Sequence, residues 1–238
     1  MKLHDQVALV TGAGRGIGRA VALAFAREGA RVTLAARTRT ELDAVAAEVR
    51  GSGGRALAVP ADVTQESSVV EVVARSLAEF GRLDILVTAA GAAAFGPVTD
   101  SKLEEWELMM AVNLRGVYLT CRAALAPMIR QRRGTIINVV SVAAKQPIPG
   151  CAAYAASKHG VLGFTRVLAE ELRPHGVRVG ALCPGAVNTP LWDSIPNPPD
   201  RTRMLTPEDV AEAAVLMASL PPRASLEDLT LLPAGGIL

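Results

Sequence analysis

Tyr154 and Lys158 stand four residues apart in Cys151 to Leu172, a segment whose apolar residues repeat with helical period. On a helix that spacing puts both side chains on one face, one turn apart. A tyrosine of ordinary pKa, about 10, is a poor acid or base at neutral pH. A neighbouring ammonium favours the phenolate and draws the hydroxyl toward the working range, as a proton-transfer group requires. The other tyrosine, Tyr118, lies in an apolar helical stretch, where core packing is its expected use. Cys151 is close to the pair in sequence but has no base beside it, and His159 projects from a different face. Both read as spectators.

A second set of residues could hold a phosphate. The apolar run Val7 to Val10 leads into Thr11-Gly12-Ala13-Gly14-Arg15-Gly16-Ile17-Gly18, after which helical periodicity begins. Glycine permits the tight turn and lets the backbone approach a pyrophosphate, whose charge then rests at a helix N-terminus. The spacing Gly12-x-x-x-Gly16-x-Gly18 is neither G-x-G-x-x-G nor a phosphate loop ending in Lys-Ser/Thr. In dinucleotide folds an acid at the end of the second strand accepts hydrogen bonds from the adenosine ribose and selects NAD. Here that strand ends Leu34-Ala35-Ala36-Arg37, so Ala36 occupies the acid's place. Arg37, with Arg15 in the glycine loop, could make charge-assisted bonds to a 2′-phosphate, which predicts NADP(H) over NAD(H). The plainer alternative leaves Arg37 and Arg39 as solvated charges at a helix start.

These groups need strands to carry them to one place. Val7 to Val10, Arg31 to Ala35, Ala56 to Val59, Ile85 to Val87, Thr135 to Val140 and Val177 to Leu182 read as buried strands without alternation. Helical periods fill Ile17 to Arg27, Arg39 to Arg50, Ser67 to Phe80, Leu114 to Gln131 and Cys151 to Leu172. Such alternation means βαβ units, a parallel sheet and helices on both faces. Gly29, Gly81 and Gly176 read as helix C-termini; Thr64 and Thr206-Pro207 read as helix starts. One stretch is irregular: residues 184–205, rich in proline, expected as a substrate lid.

In order and spacing these motifs resemble the short-chain dehydrogenase/reductase family over essentially the whole chain. Thr11-Gly-x-x-x-Gly-x-Gly18 is similar to its cofactor motif, and Asp62-Val63 stands where that family meets the adenine. Ala90-Gly91 closes the next strand, and Val112-Asn113-Leu114 resembles the family's mid-chain Asn motif. Ser141 follows a strand, Tyr154-x-x-x-Lys158 resembles the family signature, and Pro184-Gly185 with Val187 and Thr189 resembles its nicotinamide-side segment. The resemblance implies a single doubly wound domain spanning residues 1–238, with about seven strands in the order 3-2-1-4-5-6-7. It implies that Tyr154 exchanges a proton with the substrate oxygen, that Lys158 lowers the Tyr154 pKa and binds the nicotinamide ribose, and that Ser141 hydrogen-bonds the carbonyl. Asn113 would hold a water linking Lys158 to solvent. The implied reaction reduces a carbonyl, in a 3-oxoacyl thioester or small ketone or aldehyde, reversibly with NADP(H). An NAD-dependent alcohol, sugar or hydroxy-acid dehydrogenase is the alternative, and a non-catalytic nucleotide-binding protein a second. Thr88-Ala89-Ala90-Gly91 departs from the family's Asn-Asn-Ala-Gly, leaving open how the sheet is braced beside the cofactor. Sugar epimerases among the extended relatives carry Gly where this chain has Arg15.

Composition narrows the classes further. The chain has 238 residues, 50% hydrophobic, 20% charged, with net charge +2. That suits an ordinary globular domain and argues against disorder or a dedicated nucleic-acid binder. Three scattered cysteines without C-x-x-C point to a reducing compartment, and three histidines without ligand spacing point to no metal. With no signal core at the N-terminus and no apolar run long enough to span a bilayer, a cytoplasmic enzyme is expected. By resemblance it would be a homodimer or homotetramer, paired through Leu114 to Gln131 and Cys151 to Leu172.

Overall fold

The first strand, β1 (Val7–Thr11), is wholly buried, and its side chains divide between two cores: Ala8 and Val10 on one face, Leu9 on the other. The computed structural model describes residues 1–195 and 198–237. Around β1 the chain builds α1 (Gly16–Arg27), β2 (Arg31–Ala36), α2 (Arg39–Gly51), β3 (Ala56–Pro60), α3 (Glu66–Phe80) and β4 (Ile85–Thr88). A short α4 (Leu103–Met109) runs through a π-helical turn (Met110–Arg115) into α5 (Gly116–Gln131). Then follow β5 (Gly134–Val139), α6 (Ala152–Leu172), β6 (Val177–Pro184), α7 (Pro207–Ser219) and β7 (Asp228–Leu231).

All seven strands are parallel, in the order β3-β2-β1-β4-β5-β6-β7. Parallel pairing needs crossovers, and the crossover helices cover both faces of the sheet. Phe25, Leu42, Val45, Val210 and Ala214 from α1, α2 and α7 fill one core. Val72, Val117, Ala124, Val161 and Leu168 from α3, α5 and α6 fill the other. The sheet order reverses beside β1, so the loops after β1 and β4 diverge and leave a crevice at the carboxyl ends of the strands.

Element ends follow local chemistry. Gly29, Gly81 and Gly176 have left-handed backbones after their helices. At α7 the Thr206 hydroxyl accepts from the Asp209 N–H while the Asp209 carboxylate accepts from the Thr206 N–H, and Pro207 occupies the first helical position. Thr64 does not open α3. Its N–H and hydroxyl both donate to Asp62 Oδ1, closing a turn before the helix begins at Glu66. The helix at Leu103, ahead of the expected Leu114 start, has too short an apolar period to register alone. Among the described residues no helix is long and apolar enough to cross a membrane.

Candidate active site

The glycine loop between β1 and α1 is packed so closely that side chains are excluded from it. Gly12 and Gly16 have φ of +67° and +54°. A Cβ on Gly12 would stand 2.7 Å from the Ala90 nitrogen, and one on Gly18 2.3 Å from the Gly12 oxygen. Arg15 precedes α1 in extended conformation with no side chain capping the helix, and its first turn holds no acid. These N-terminal N–H groups are therefore available to an anion. The side facing Gly16 is closed by the Thr189 methyl, 3.3 Å from where a Cβ would be. The fit to a dinucleotide pyrophosphate is a steric one: a backbone cradle that a single methyl would fill.

Other residues expected around a dinucleotide converge on this edge. Arg37 follows β2, Asp62 and Val63 follow β3, and Ala90 and Gly91 follow β4. The Ala89 and Ala90 N–H groups reach back to Thr11 Oγ1 at 3.2 and 3.4 Å. Asp62 is held by its turn with Thr64, and Val63 packs against the start of α5 at Gly116. Pro184 ends β6; the Gly185 N–H donates to the Leu231 carbonyl, and Val187 bridges to Leu205, which aims Thr189 at the loop. Ile17 packs half-buried on the core below, while Arg15 and Arg37 are exposed. A carboxylate that the residues around Ala36 do not reveal comes from the first turn of α2. Glu41 and the Ala36 methyl both crowd the space a Gly14 side chain would take.

Tyr154 and Lys158 do share one face of α6. The Lys158 ammonium lies 5.7 Å from the centre of the Tyr154 ring and donates to the Val139 carbonyl at 3.0 Å. Lys158 is 5% exposed, and burial lowers its pKa to about 8. Burial likewise pushes the Tyr154 hydroxyl up to about 12, with the facing Ser141 hydroxyl pulling it back in part. Lys158 is expected from sequence to depress the Tyr154 pKa; in the fold burial is the dominant influence on the hydroxyl, and the downward pull comes from Ser141. Ser141 is buried at the end of β5, and its hydroxyl accepts from the Ala143 N–H. Cys151 is buried and its thiol is raised by burial, so it is a spectator by environment. The His159 ring pairs with the Ala155 carbonyl on the exposed side of the helix.

Two asparagines brace the site, one of them missed from sequence. Asn113 sits in the π-helical turn, fully buried. Its amide donates to the Ala92 carbonyl and to Ser157 Oγ, and its oxygen accepts from the Ala92 N–H. The side chain thus clamps the loop after β4 to α6. Asn138 lies opposite Thr88 in the register of β4 and β5. Its oxygen accepts from the Thr88 hydroxyl and the Cys121 thiol, and its amide donates to Thr165 Oγ1. The bracing absent at Thr88-Ala89 is provided from β5. Only the position of Asn138, an amide within a buried strand, could have signalled it.

Aromatic residues mark two surfaces. Phe95 meets Tyr154 edge-on at 5.7 Å and Trp192 at 5.5 Å, above the proton-transfer pair. Tyr118 is not a core residue: it is 44% exposed and stacks edge-on with Phe164, 5.9 Å away. With Trp106, Met110 and Leu114 they line an open groove of about 580 Å³ on α4, α5 and α6, away from the crevice. Tyr118 has helical spacing with its apolar neighbours, but the face it belongs to looks outward. In the expected lid, Arg201 donates to Asn188, Asp193 and the Thr189 carbonyl, and the Trp192 indole donates to the Val187 carbonyl. Residues 196 and 197 of that stretch lie outside the described residues.

Comparison with known proteins covers nearly the whole chain. The profile of a family described as short chain dehydrogenase matches residues 6–199. A 3-oxoacyl-[acyl-carrier-protein] reductase of Synechocystis sp. is 39% identical over 242 residues, covering 99% of this chain and 98% of that relative. A metagenomic short-chain oxidoreductase crystallised with NADP superposes with a TM-score of 0.86 at 38% identity, covering 98% of this chain and 99% of that one. An alcohol dehydrogenase from the archaeon Thermococcus sibiricus, complexed with 5-hydroxy-NADP, reaches 0.89 at 33% identity, covering 96% and 97%.

Proposed function

Because this chain belongs to the short-chain dehydrogenase family, we propose that it is an NADP(H)-dependent oxidoreductase reducing a carbonyl to an alcohol, with Tyr154 as the acid. The observation that carries this reading is the meeting of Ser141, Tyr154 and Lys158 beside a glycine loop that excludes side chains. When bound, the cofactor supplies the hydride in reduction and accepts it in oxidation. Tyr154 keeps its proton at neutral pH, the state in which it can donate to a carbonyl oxygen. Ser141 orients the carbonyl and shares the developing charge. Lys158, half-titrated near pH 8, adds positive charge beneath the Tyr154 ring and offers donors to ribose hydroxyls. Asn113 is a positioning residue, fixing the Ala92 loop against the helix of Tyr154 and Lys158.

The substrate proposed first is a 3-oxoacyl thioester, in keeping with the Synechocystis relative, followed by small ketones and aldehydes. The alternative of an NAD-dependent dehydrogenase draws its support from Glu41, whose carboxylate lies near the expected adenosine side. The test is reduction of a carbonyl panel with both reduced cofactors, by wild type and Tyr154→Phe. The variant should lose at least about 100-fold in kcat while keeping its cofactor Kd within about threefold, because the ring's packing survives and only the proton is lost. Retention of more than about a tenth of wild-type turnover would overturn the role given to Tyr154.

A further inference from the structure

The chain has only two tryptophans, two tyrosines and four phenylalanines, yet Phe95 meets both Tyr154 and Trp192. Phe95 and Trp192 come from loops with no such side chain near them in sequence, so their meeting is not a by-product of an apolar core. Each rests on a supported backbone. The Gly96 N–H donates to the Gly150 carbonyl just before α6, and Asn113 clamps Ala92. The Trp192 indole is pinned by its bond to the Val187 carbonyl. The surroundings are apolar: from Ala89 to Val98 the loop carries no polar side chain. The cations on the neighbouring elements are already committed: Lys158 to the Val139 carbonyl, Arg201 to Asn188, Thr189 and Asp193, and Lys145 to Asp228 and Thr230. A substrate carboxylate or phosphate would have to compete with those bonds for a cation.

We propose that Phe95 and Trp192 form the wall that receives an uncharged alkyl chain or aryl ring attached to the substrate carbonyl. The proposal rests on Tyr154 being the proton donor, since the wall is defined by its contact with that ring. Aromatic faces give such a group large contact area with little ordering cost, whereas a charged group would be desolvated without compensation.

The test is reduction of a series of methyl ketones, 2-butanone to 2-octanone, with pyruvate as the charged comparison. The expected rise in kcat/KM is about fourfold per methylene buried on the wall, with pyruvate at least about tenfold below 2-butanone. Phe95→Ala and Trp192→Ala should flatten that rise, and Trp192→Phe should preserve it. A wild type without chain-length dependence, or alanine variants that keep it, overturns the proposal. If the wild type reduces no ketone, the oxidoreductase reading fails, and a second measurement judges the wall independently. Trp106→Phe leaves Trp192 as the sole indole, and its emission is followed during titration with 2-octanone in the presence of NADP. A saturable change that Phe95→Ala weakens supports the wall, and no change overturns it.

Discussion

The Lys158 ammonium is stripped of water by its burial against Val139, and its pKa of about 8 against an ordinary 10.5 measures that cost. A shift of this size corresponds to about 3 kcal/mol, offset in the Lys158→Met variant by roughly 1 kcal/mol when the Val139 carbonyl loses its donor. We expect Lys158→Met to melt no lower than wild type at pH 7 while losing at least about 100-fold in kcat/KM. The pH dependence follows from linkage. Between about 8 and 10.5 the unfolded chain binds more protons at this site than the folded one, so its contribution to stability rises with pH across that window. For Tyr154, raised to about 12, the contribution is present below pH 10 and is lost as pH climbs toward 12. Melting curves from pH 7 to 10 should therefore show a rise in wild type that Lys158→Met lacks; parallel curves would refute the buried-ammonium account. Cofactor choice is also a residue-scale balance. Arg37→Ala should lower the NADPH-to-NADH ratio of kcat/KM by about 10-fold or more, the worth of one charged hydrogen bond. Glu41→Gln should raise it, because the carboxylate beside Gly14 would repel a 2′-phosphate. A wild-type ratio favouring NADH contradicts the preference for NADP(H).

Strands and helices fix these residues through a few buried polar ties. Asn138 joins β4, β5, α5 and α6 through Thr88, Cys121 and Thr165, with no exposure to water. Replacing it by alanine leaves the Thr88 hydroxyl without its acceptor in a dry interior, while Thr165 keeps its bond to the Val161 carbonyl, at a cost of about 1–3 kcal/mol. Asn138→Ala should lower the denaturant midpoint with an unchanged m value, whereas a stability within about 0.5 kcal/mol of wild type would mean the tie is dispensable. The π-helical turn serves the same end at Asn113. It adds a residue to the helix there, and the amide so placed reaches both Ala92 and Ser157. Motif spacing located Asn113, because the family pattern is linear in sequence; its partners, 21 and 44 positions away, are not visible in any local window.

At the scale of the molecule, α4, α5 and α6 carry several exposed apolar side chains. Leu103, Trp106, Leu108, Tyr118 and Val167 are all more than two-fifths exposed, and Trp106 and Tyr118 border the groove on α4, α5 and α6. Pairing through these helices, as a homodimer or homotetramer, would cover it, since a contiguous apolar patch on a lone protein favours association. Light scattering should give a mass at least twice 24.8 kDa, and Tyr118→Glu with Val167→Glu should reduce it to that of one chain. A wild type already at one chain's mass refutes the pairing.

The sequence by itself determined the parallel sheet, its strand–helix alternation and the Gly12, Tyr154 and Lys158 positions, while Ser141 came from the family resemblance. Runs of apolar residues, glycine spacing and a four-residue helical offset are local properties that survive without coordinates. Tertiary structure alone decided which environment each side chain meets. It buried Lys158 and raised Tyr154, turned Tyr118 outward, brought Glu41 beside Gly14 and stood Phe95 against Trp192. Desolvation and contact depend on what other segments supply, and that sum is fixed only when strands distant in the chain become neighbours in the sheet.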